Sequence, residues 1–126
     1  MAVLLTTRIT AIGPEVAELA EGGVVILFAD GAPPELAEVS VLHSVEEGPS
    51  ASAPSVGEHI AIGELRATIT AMGETAWNKV REIGHVVINF NGAALAERPG
   101  EICASEVSGG ALREALTAGA LITIGR

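Results

Sequence analysis

Residues 3–12, VLLTTRITAI, give the first and clearest indication of the fold. One set of alternate positions in this stretch is Val3, Leu5, Thr7, Ile9 and Ala11. Threonine and β-branched residues that recur with a period of two are typical of a β-strand. The chain is therefore predicted to begin with a strand.

Further short strands are predicted along the rest of the chain. They cover 24–28, 39–43, a hairpin over 59–72 with its bend at Gly63-Glu64, 85–90, 102–107 and 120–125. Residues 44–57 are predicted to form a loop, and a loop of that length is usually functional or mobile.

Helical patterns are brief. They cover 14–20, a turn at 34–38, 75–83 and 112–116. The best defined is 75–83, with Thr75 as N-cap and Gly84 as the C-terminal stop. We recognise no regular βαβ alternation and no internal repeat. The pattern predicts a mostly β fold of about six or seven short strands with two or three short helices, in a barrel or a sandwich.

Composition supports one folded domain over residues 1–126, since 48% of the residues are hydrophobic and a disordered chain is excluded. The aromatic residues are Phe28, Trp77 and Phe90. The core must therefore be built from aliphatic side chains, and the stacking platform of a single-strand nucleic-acid binder is missing.

The net charge is −9, from 7 basic and 16 acidic residues. This charge disfavours nucleic acids and anionic membrane surfaces, and suits solubility or a basic protein partner. Cys103 is the single cysteine, and no stretch has the length of a membrane span. The N-terminus has no basic leader, so we expect a soluble protein of the cytoplasm without direct membrane insertion.

No sequence motif calls for a metal or a cofactor. The histidines are His43, His59 and His85, and none has the spacing of a metal site. Phosphate-binding glycine loops and the Gly-x-Ser-x-Gly elbow are also missing. We therefore predict neither a metal nor a cofactor.

The histidines remain as candidates for chemistry. His43 ends a predicted strand before the polar loop, a position expected to leave a ring nitrogen exposed, and neutral imidazole is a competent nucleophile near pH 7. The residues alone favour the simpler interpretation, a surface histidine without a role. His85 is expected to make a hydrogen bond at a helix-to-strand junction, and His59 is expected to face solvent.

A longer block carries a family resemblance. Residues 80–92, VREIGHVVINFNG, and 97–100, ERPG, resemble the glucitol/sorbitol-type enzyme IIA family of the bacterial phosphoenolpyruvate-dependent sugar phosphotransferase system. The similarity continues through 6–13 (TTRITAIG), 28–33 (FADGAP), 36–43 and 70–73 (TAMG). It spans nearly the whole chain.

The resemblance implies a closed β-barrel in which His43 is the phosphorylated residue. It implies that His43 receives phosphate from the phosphocarrier HPr and donates it to the cognate enzyme IIB of the membrane-embedded IIB/IIC permease. The sugar would be a sugar alcohol such as glucitol. Family members often have a second histidine two residues later, where this chain has Val45, and residues 49–54 look longer than in the family.

Supporting residues are proposed around His43. Glu46 or Glu47 would hydrogen-bond the second ring nitrogen and fix its tautomer, and His85 would support the phosphoryl group if it lay nearby. One alternative is a regulatory module of the same fold whose phosphorylation state is read by a partner. The other is a barrel that is never phosphorylated.

Overall fold

A computed structural model describes residues 3–125. Its strands are β1 (Val3–Ile12), β2 (Val24–Ala29), β3 (Val41–Glu47), β4 (His59–Ile62), β5 (Leu65–Met72), β6 (Val86–Asn89), β7 (Glu101–Ala104) and β8 (Leu121–Gly125). Its helices are α1 (Val16–Glu21), α2 (Pro34–Ala37), α3 (Ala76–Ile83) and α4 (Gly109–Ala115). The predicted mostly-β barrel is confirmed, with eight strands in the described part of the chain instead of six or seven.

The strands close into one barrel in the order β1-β3-β2-β6-β7-β5-β4-β8. Strand β2 pairs in parallel with β3, and β6 pairs in parallel with β7. The other neighbours are antiparallel, including β1 with β8, which closes the barrel. Alternate residues of each strand are directed inward, so aliphatic side chains fill the interior as the composition predicted. Among residues 3–125, no helix has both the length and the apolarity to cross a bilayer.

The prediction that the chain has no internal repeat is wrong. Strands β1 to β4 and β5 to β8 occupy equivalent places in the closed barrel order, since exchanging each strand with the one four places later in the chain leaves the set of neighbours unchanged. Ile9 pairs with His43 as Ile69 pairs with Ala104, with a spacing of about 60 residues between equivalent positions. The short sequence matches ITAIG at 9–13 and ITAMG at 69–73 mark the same relation.

Each of the two glycines in this match lies in close contact with another backbone segment. A methyl group on Gly13 would lie 2.2 Å from the Ala37 carbonyl oxygen, and one on Gly73 would lie 2.3 Å from that of Pro99. Only glycine allows this approach of two backbone segments. Outside this match the two halves differ in their connecting segments. Helix α2 of the first half corresponds to an irregular segment at 93–100, and the segment at 48–58 corresponds to α4.

The main local error concerns β3. The prediction ended this strand at His43, but it runs from Val41 to Glu47 and takes four residues from the predicted loop. The extra residues pair with β1, where Thr7 faces Val45 and Arg8 faces Ser44. His43 therefore lies inside a strand, not at its end.

Candidate functional site

His43 is buried within the barrel wall, with 2% of its surface exposed. Its Nδ1 lies 2.6 Å from the Thr7 hydroxyl, and its Nε2 lies 2.7 Å from the Gly84 carbonyl oxygen. The expectation of an exposed ring nitrogen is therefore wrong. The physical reason is that His43 is on the same face of β3 as Val41, and that face is directed inward.

These contacts define the tautomer of the ring. A carbonyl oxygen can only accept a hydrogen bond, so Nε2 must carry a hydrogen and donate it to Gly84. Nδ1 of the neutral ring then has a lone pair, which accepts the Thr7 hydroxyl hydrogen. Both ring nitrogens are satisfied, as a buried imidazole requires.

Burial lowers the pKa of His43 below its usual value, because the charged ring loses hydration. The Gly84 carbonyl and the negative charge of Asp30 oppose this effect. Asp30 is the residue after β2, and its backbone amide donates to the His43 carbonyl at 3.1 Å. The ring is therefore held in the neutral form that can act as a nucleophile near pH 7.

The internal repeat provides a comparison for this pair. Ala104 is equivalent to His43, since Ile69 pairs with Ala104 across β5–β7 as Ile9 pairs with His43 across β1–β3. Ala67 is equivalent to Thr7, since these two residues pair with Ile60 and Ile122 respectively. The second half of the barrel thus has alanine at both equivalent positions. The fold therefore does not require a buried polar pair at these positions.

Glu46 and Glu47 are not the partners of the ring. Glu46 is exposed and forms an ion pair with Arg8, at 2.6 Å from Nε of the guanidinium. This contact lowers the pKa of Glu46 and raises that of Arg8. Glu47 is the exposed last residue of β3. The ring nitrogens bind Thr7 and Gly84 instead, because the face of His43 is directed away from solvent.

His85 is next to the site along the chain but its ring is directed elsewhere. Its Nδ1 lies 3.0 Å from the Leu27 carbonyl oxygen, and its ring packs against that of Phe28 with the centroids 5.0 Å apart and the planes tilted by 38°. Phe28 is on the outer face of β2, whereas the His43 ring is on the inner face of β3. The predicted junction hydrogen bond of His85 is confirmed. His59 is half-buried on β4, more enclosed than predicted.

Sequence reasoning missed Thr7 and Gly84 as neighbours of His43. A signal for Thr7 was present, since it is a hydroxyl residue at an inward position between Leu5 and Ile9. For Gly84 the sequence predicted only that it ends a helix. This prediction is confirmed, since Gly84 follows α3 with a left-handed φ of 65°. That its carbonyl reaches a histidine 41 residues away depends on the β2–β3–β6 arrangement alone.

A second buried polar cluster is centred on Glu101, which is 6% exposed. Its carboxylate accepts hydrogen bonds from the Asn89 amide at 2.5 Å, the Glu97 backbone amide at 3.1 Å and the Cys103 thiol at 3.3 Å. Burial and the carboxylate raise the pKa of Cys103 to about 11, so the thiol stays protonated near neutral pH. The cluster anchors the segment 93–100, which lacks the helix of the equivalent segment. Among residues 3–125, no group of acidic, histidine and cysteine side chains could hold a metal.

Comparisons with known proteins agree with this architecture. A family model described as PTS system glucitol/sorbitol-specific IIA component matches residues 4–124. The PTS system glucitol/sorbitol-specific EIIA components of Escherichia coli (strain K12) and Shigella flexneri are each 35% identical over 102 residues. The match covers 81% of this chain and 81% of each relative.

A solved structure shares the fold. It is described as the crystal structure of PTS System IIA Component from Enterococcus faecalis V583. The likeness has a TM-score of 0.72 at 21% identity, and it covers 96% of this chain and 99% of the other. At that identity the comparison supports the barrel architecture.

Proposed function

The chain belongs to the glucitol/sorbitol-specific IIA component family of the sugar phosphotransferase system, and we propose that it carries a phosphoryl group on His43. In this proposal the group arrives from phospho-HPr and leaves to the cognate enzyme IIB. The IIB and IIC components then use it in the uptake of a sugar alcohol such as glucitol. The protein would act in the cytoplasm, next to its partner permease.

One observation carries the proposal: the barrel buries His43 and Thr7 where the equivalent positions hold Ala104 and Ala67. Burying polar groups is unfavourable even when they are hydrogen-bonded to each other. Since the second half folds with alanines at these places, folding alone does not account for His43 and Thr7. A neutral imidazole with a defined tautomer is suited to phosphoryl transfer.

The site also fits the need for an ordered nucleophile. Phosphoryl transfer depends mainly on alignment, because the transition state is loose and needs little covalent assistance. Two hydrogen bonds, at 2.6 and 2.7 Å, fix the plane of the His43 ring. Transfer requires the ring to become accessible, and the adjacent residues Ser44 and Val45 are already exposed.

The test is labelling from phosphoenolpyruvate with enzyme I and HPr, followed by mass spectrometry. His43→Gln should abolish the label, because the nucleophile is removed while an amide of related shape remains. His59→Gln and His85→Gln are the matched controls and should be labelled like the wild type. Full labelling of His43→Gln would refute the assignment.

Onward transfer distinguishes the proposed role from that of a regulatory module. The phosphorylated protein, isolated and mixed with its enzyme IIB, should lose its phosphate to the partner. Labelled protein that never transfers the group would favour the regulatory module. An unlabelled wild type would instead favour a barrel without phosphorylation.

A further inference from the structure

The buried Glu101 cluster lines a cleft on the outer face of the barrel, between strands β2 and β6 and the segment 93–100. The cleft has a volume of about 380 Å³. We propose that it is a docking surface for a protein partner, which inserts an arginine side chain into the cleft and packs an apolar side chain against the exposed Leu95. The surface is separate from His43, so the inference does not depend on the proposed phosphoryl transfer.

The internal repeat gives the residues of the cleft floor their counterparts in the first half. Phe28 pairs with Leu42 in β2–β3, and Asn89 has the same place in β6–β7. Val24 corresponds to His85, since each follows a glycine of positive φ after a helix. The pair Val24 and Asn89 is therefore equivalent to the pair His85 and Phe28.

The two equivalent pairs fill their places differently. In the first half, the rings of Phe28 and His85 pack against each other with their centroids 5.0 Å apart. In the second half, Val24 and Asn89 face each other across β2–β6. Both side chains are smaller than the rings to which they correspond, and the cleft lies over them. The closed barrel therefore allows either a filled or an open surface at this position.

Glu101 gives the cleft a buried carboxylate without a cationic partner. It is 6% exposed, and its carboxylate accepts three hydrogen bonds from uncharged donors. Its Oε2 accepts one of these, so this oxygen can accept another. No lysine or arginine within residues 3–125 forms an ion pair with it. Burying a carboxylate is unfavourable unless charged or hydrogen-bonding partners compensate it, and a cation from outside the chain would add to that compensation.

The charged groups around the cleft favour a cation over an anion. Glu97, Arg98 and Glu101 line it, and the Cγ atom of Glu106 would lie 3.7 Å from a methyl group on Gly92 at its rim. Three carboxylates and one guanidinium thus surround the space, and an anion such as phosphate would be repelled. Arginine fits better than lysine, because its planar guanidinium presents several donors to carboxylate oxygens at once.

Leu95 indicates that the arginine belongs to a protein. This side chain lines the cleft and is 82% exposed, the highest value for a large hydrophobic side chain within residues 3–125. A small cation would bind the carboxylates but leave the leucine in water. A protein segment with an apolar residue beside its arginine would cover both, and the burial of apolar surface would add to the attraction between the charges.

The cleft lies away from the proposed phosphoryl site. His43 pairs with Ala29 at the end of β2, whereas Val24 begins that strand. The five residues between these positions correspond to about 17 Å along a strand. The His43 ring is also directed into the barrel, and the cleft is on the outer face. A segment bound in the cleft therefore does not contact His43.

The first test titrates ¹⁵N-labelled protein with the blocked peptide acetyl-Leu-Arg-Leu-amide and follows the NMR signals of Asn89, Asn91 and residues 93–98. The control peptide has citrulline in place of arginine, which keeps the shape and removes the charge. The arginine peptide should bind at least about tenfold more tightly, since hydrogen bonds between charged groups are lost with citrulline. Equal binding of the two peptides, or no binding of either at millimolar concentrations, would overturn the proposal. Acetyl-arginine-amide binding as tightly as the peptide would identify a site for small cations and overturn the docking of a protein.

The second test uses variants beside Glu101, because Glu101 itself anchors the segment 93–100. Glu97→Gln removes an exposed carboxylate, and Val24→Phe fills the cleft with a ring. Each should weaken binding of the arginine peptide by about tenfold or more. Glu64→Gln, at the bend between β4 and β5, is the matched control and should bind like the wild type. Urea unfolding verifies that each variant is folded.

Unchanged binding in both cleft variants would refute the docking surface. The same two variants should be labelled from phospho-HPr at the rate of the wild type, and His43→Gln should bind the arginine peptide normally. Failure of the docking surface and failure of the phosphoryl site are thereby observed in different measurements.

Discussion

The surroundings of the buried His43 ring determine both its protonation and its tautomer. A buried imidazole must be neutral or compensated, and here the burial that lowers its pKa also keeps its lone pair free of protons. The two hydrogen bonds give the lone pair to Nδ1 and the hydrogen to Nε2. The environment therefore keeps the ring neutral and in one tautomer, which is the form that the proposed phosphoryl transfer requires.

The lowered pKa of His43 predicts a pH dependence of folding stability. As the pH falls, the unfolded chain takes up the histidine proton near its ordinary pKa of about 6.5, before the folded protein does. The stabilising contribution is thus present above that pH and is lost as the pH falls through the lower folded pKa of His43. Urea unfolding from about pH 8 to about pH 5 measures the loss.

The His43→Gln variant isolates this contribution. Glutamine does not titrate, so its free energy of unfolding should fall less over the acidic part of the range than that of the wild type. His59→Gln keeps the His43 ring and should retain the loss that this ring causes. Parallel pH profiles for wild type and His43→Gln would show that the burial of His43 is not linked to its protonation.

The position of His43 shows where the sequence was informative at the scale of a residue. The family resemblance predicts a role for the histidine, but its burial depends on which face of β3 is directed inward. Val41 and Leu42 are both apolar, so the alternation could be read in either phase. Pairing with β1 decides the phase, and the Thr7–His43 hydrogen bond that results joins residues 36 positions apart.

At the scale of an element, Gly84 connects α3 to the site. It ends the helix in the left-handed region with φ of 65°, and its carbonyl binds His43. Gly63, at the bend between β4 and β5, has a similar φ of 58° but no atom within 4 Å of an added methyl group. Substitutions at the two glycines therefore distinguish the effect of backbone strain on stability from the effect of a steric contact.

Alanine at these two positions should have different effects. Gly63→Ala should lower the free energy of unfolding by about 1–2 kcal/mol, the cost of a left-handed alanine. Gly84→Ala should lower it by more than this, because its methyl group would lie 2.8 Å from the Ala29 Cβ. It should also slow labelling of His43, whereas Gly63→Ala should not. Equal losses of stability in urea unfolding would contradict the contact at Gly84.

The elements themselves were predicted with uneven success, for physical reasons. The hairpin at 59–72 and helix α3 follow from local turn and capping chemistry, and both are confirmed. The Thr75 side chain makes no capping hydrogen bond, although the helix begins where predicted. The length of β3 and the internal repeat depend on pairing between distant segments, which local periodicity does not encode.

At the scale of the whole molecule, the two halves are joined into one closed wall. The β2–β6 pair and the β4–β8 pair connect them, and each pair joins a strand to its equivalent in the other half. Closure removes the free strand edges through which β-proteins associate. One half then carries His43 and Thr7 while the other keeps alanines at those places, so the barrel has one such pair among the described residues. Recognition of partners falls to the outer surface.

The net charge of −9 predicts how this surface meets its donor. If phospho-HPr presents a basic face, as the family resemblance implies, attraction should accelerate encounter over a screening length of about 30 Å at 0.01 M salt and about 8 Å at 0.15 M. Raising the salt concentration should therefore lower kcat/KM for phosphorylation by about tenfold. The value of kcat at saturating HPr should change little, because His43, the proposed acceptor, is buried. Stopped-flow measurements with radiolabelled phospho-HPr separate the two constants. A salt-independent kcat/KM would mean that the acidic surface serves solubility alone, and an equal fall in kcat would place the salt effect on the opening of the site instead of on encounter.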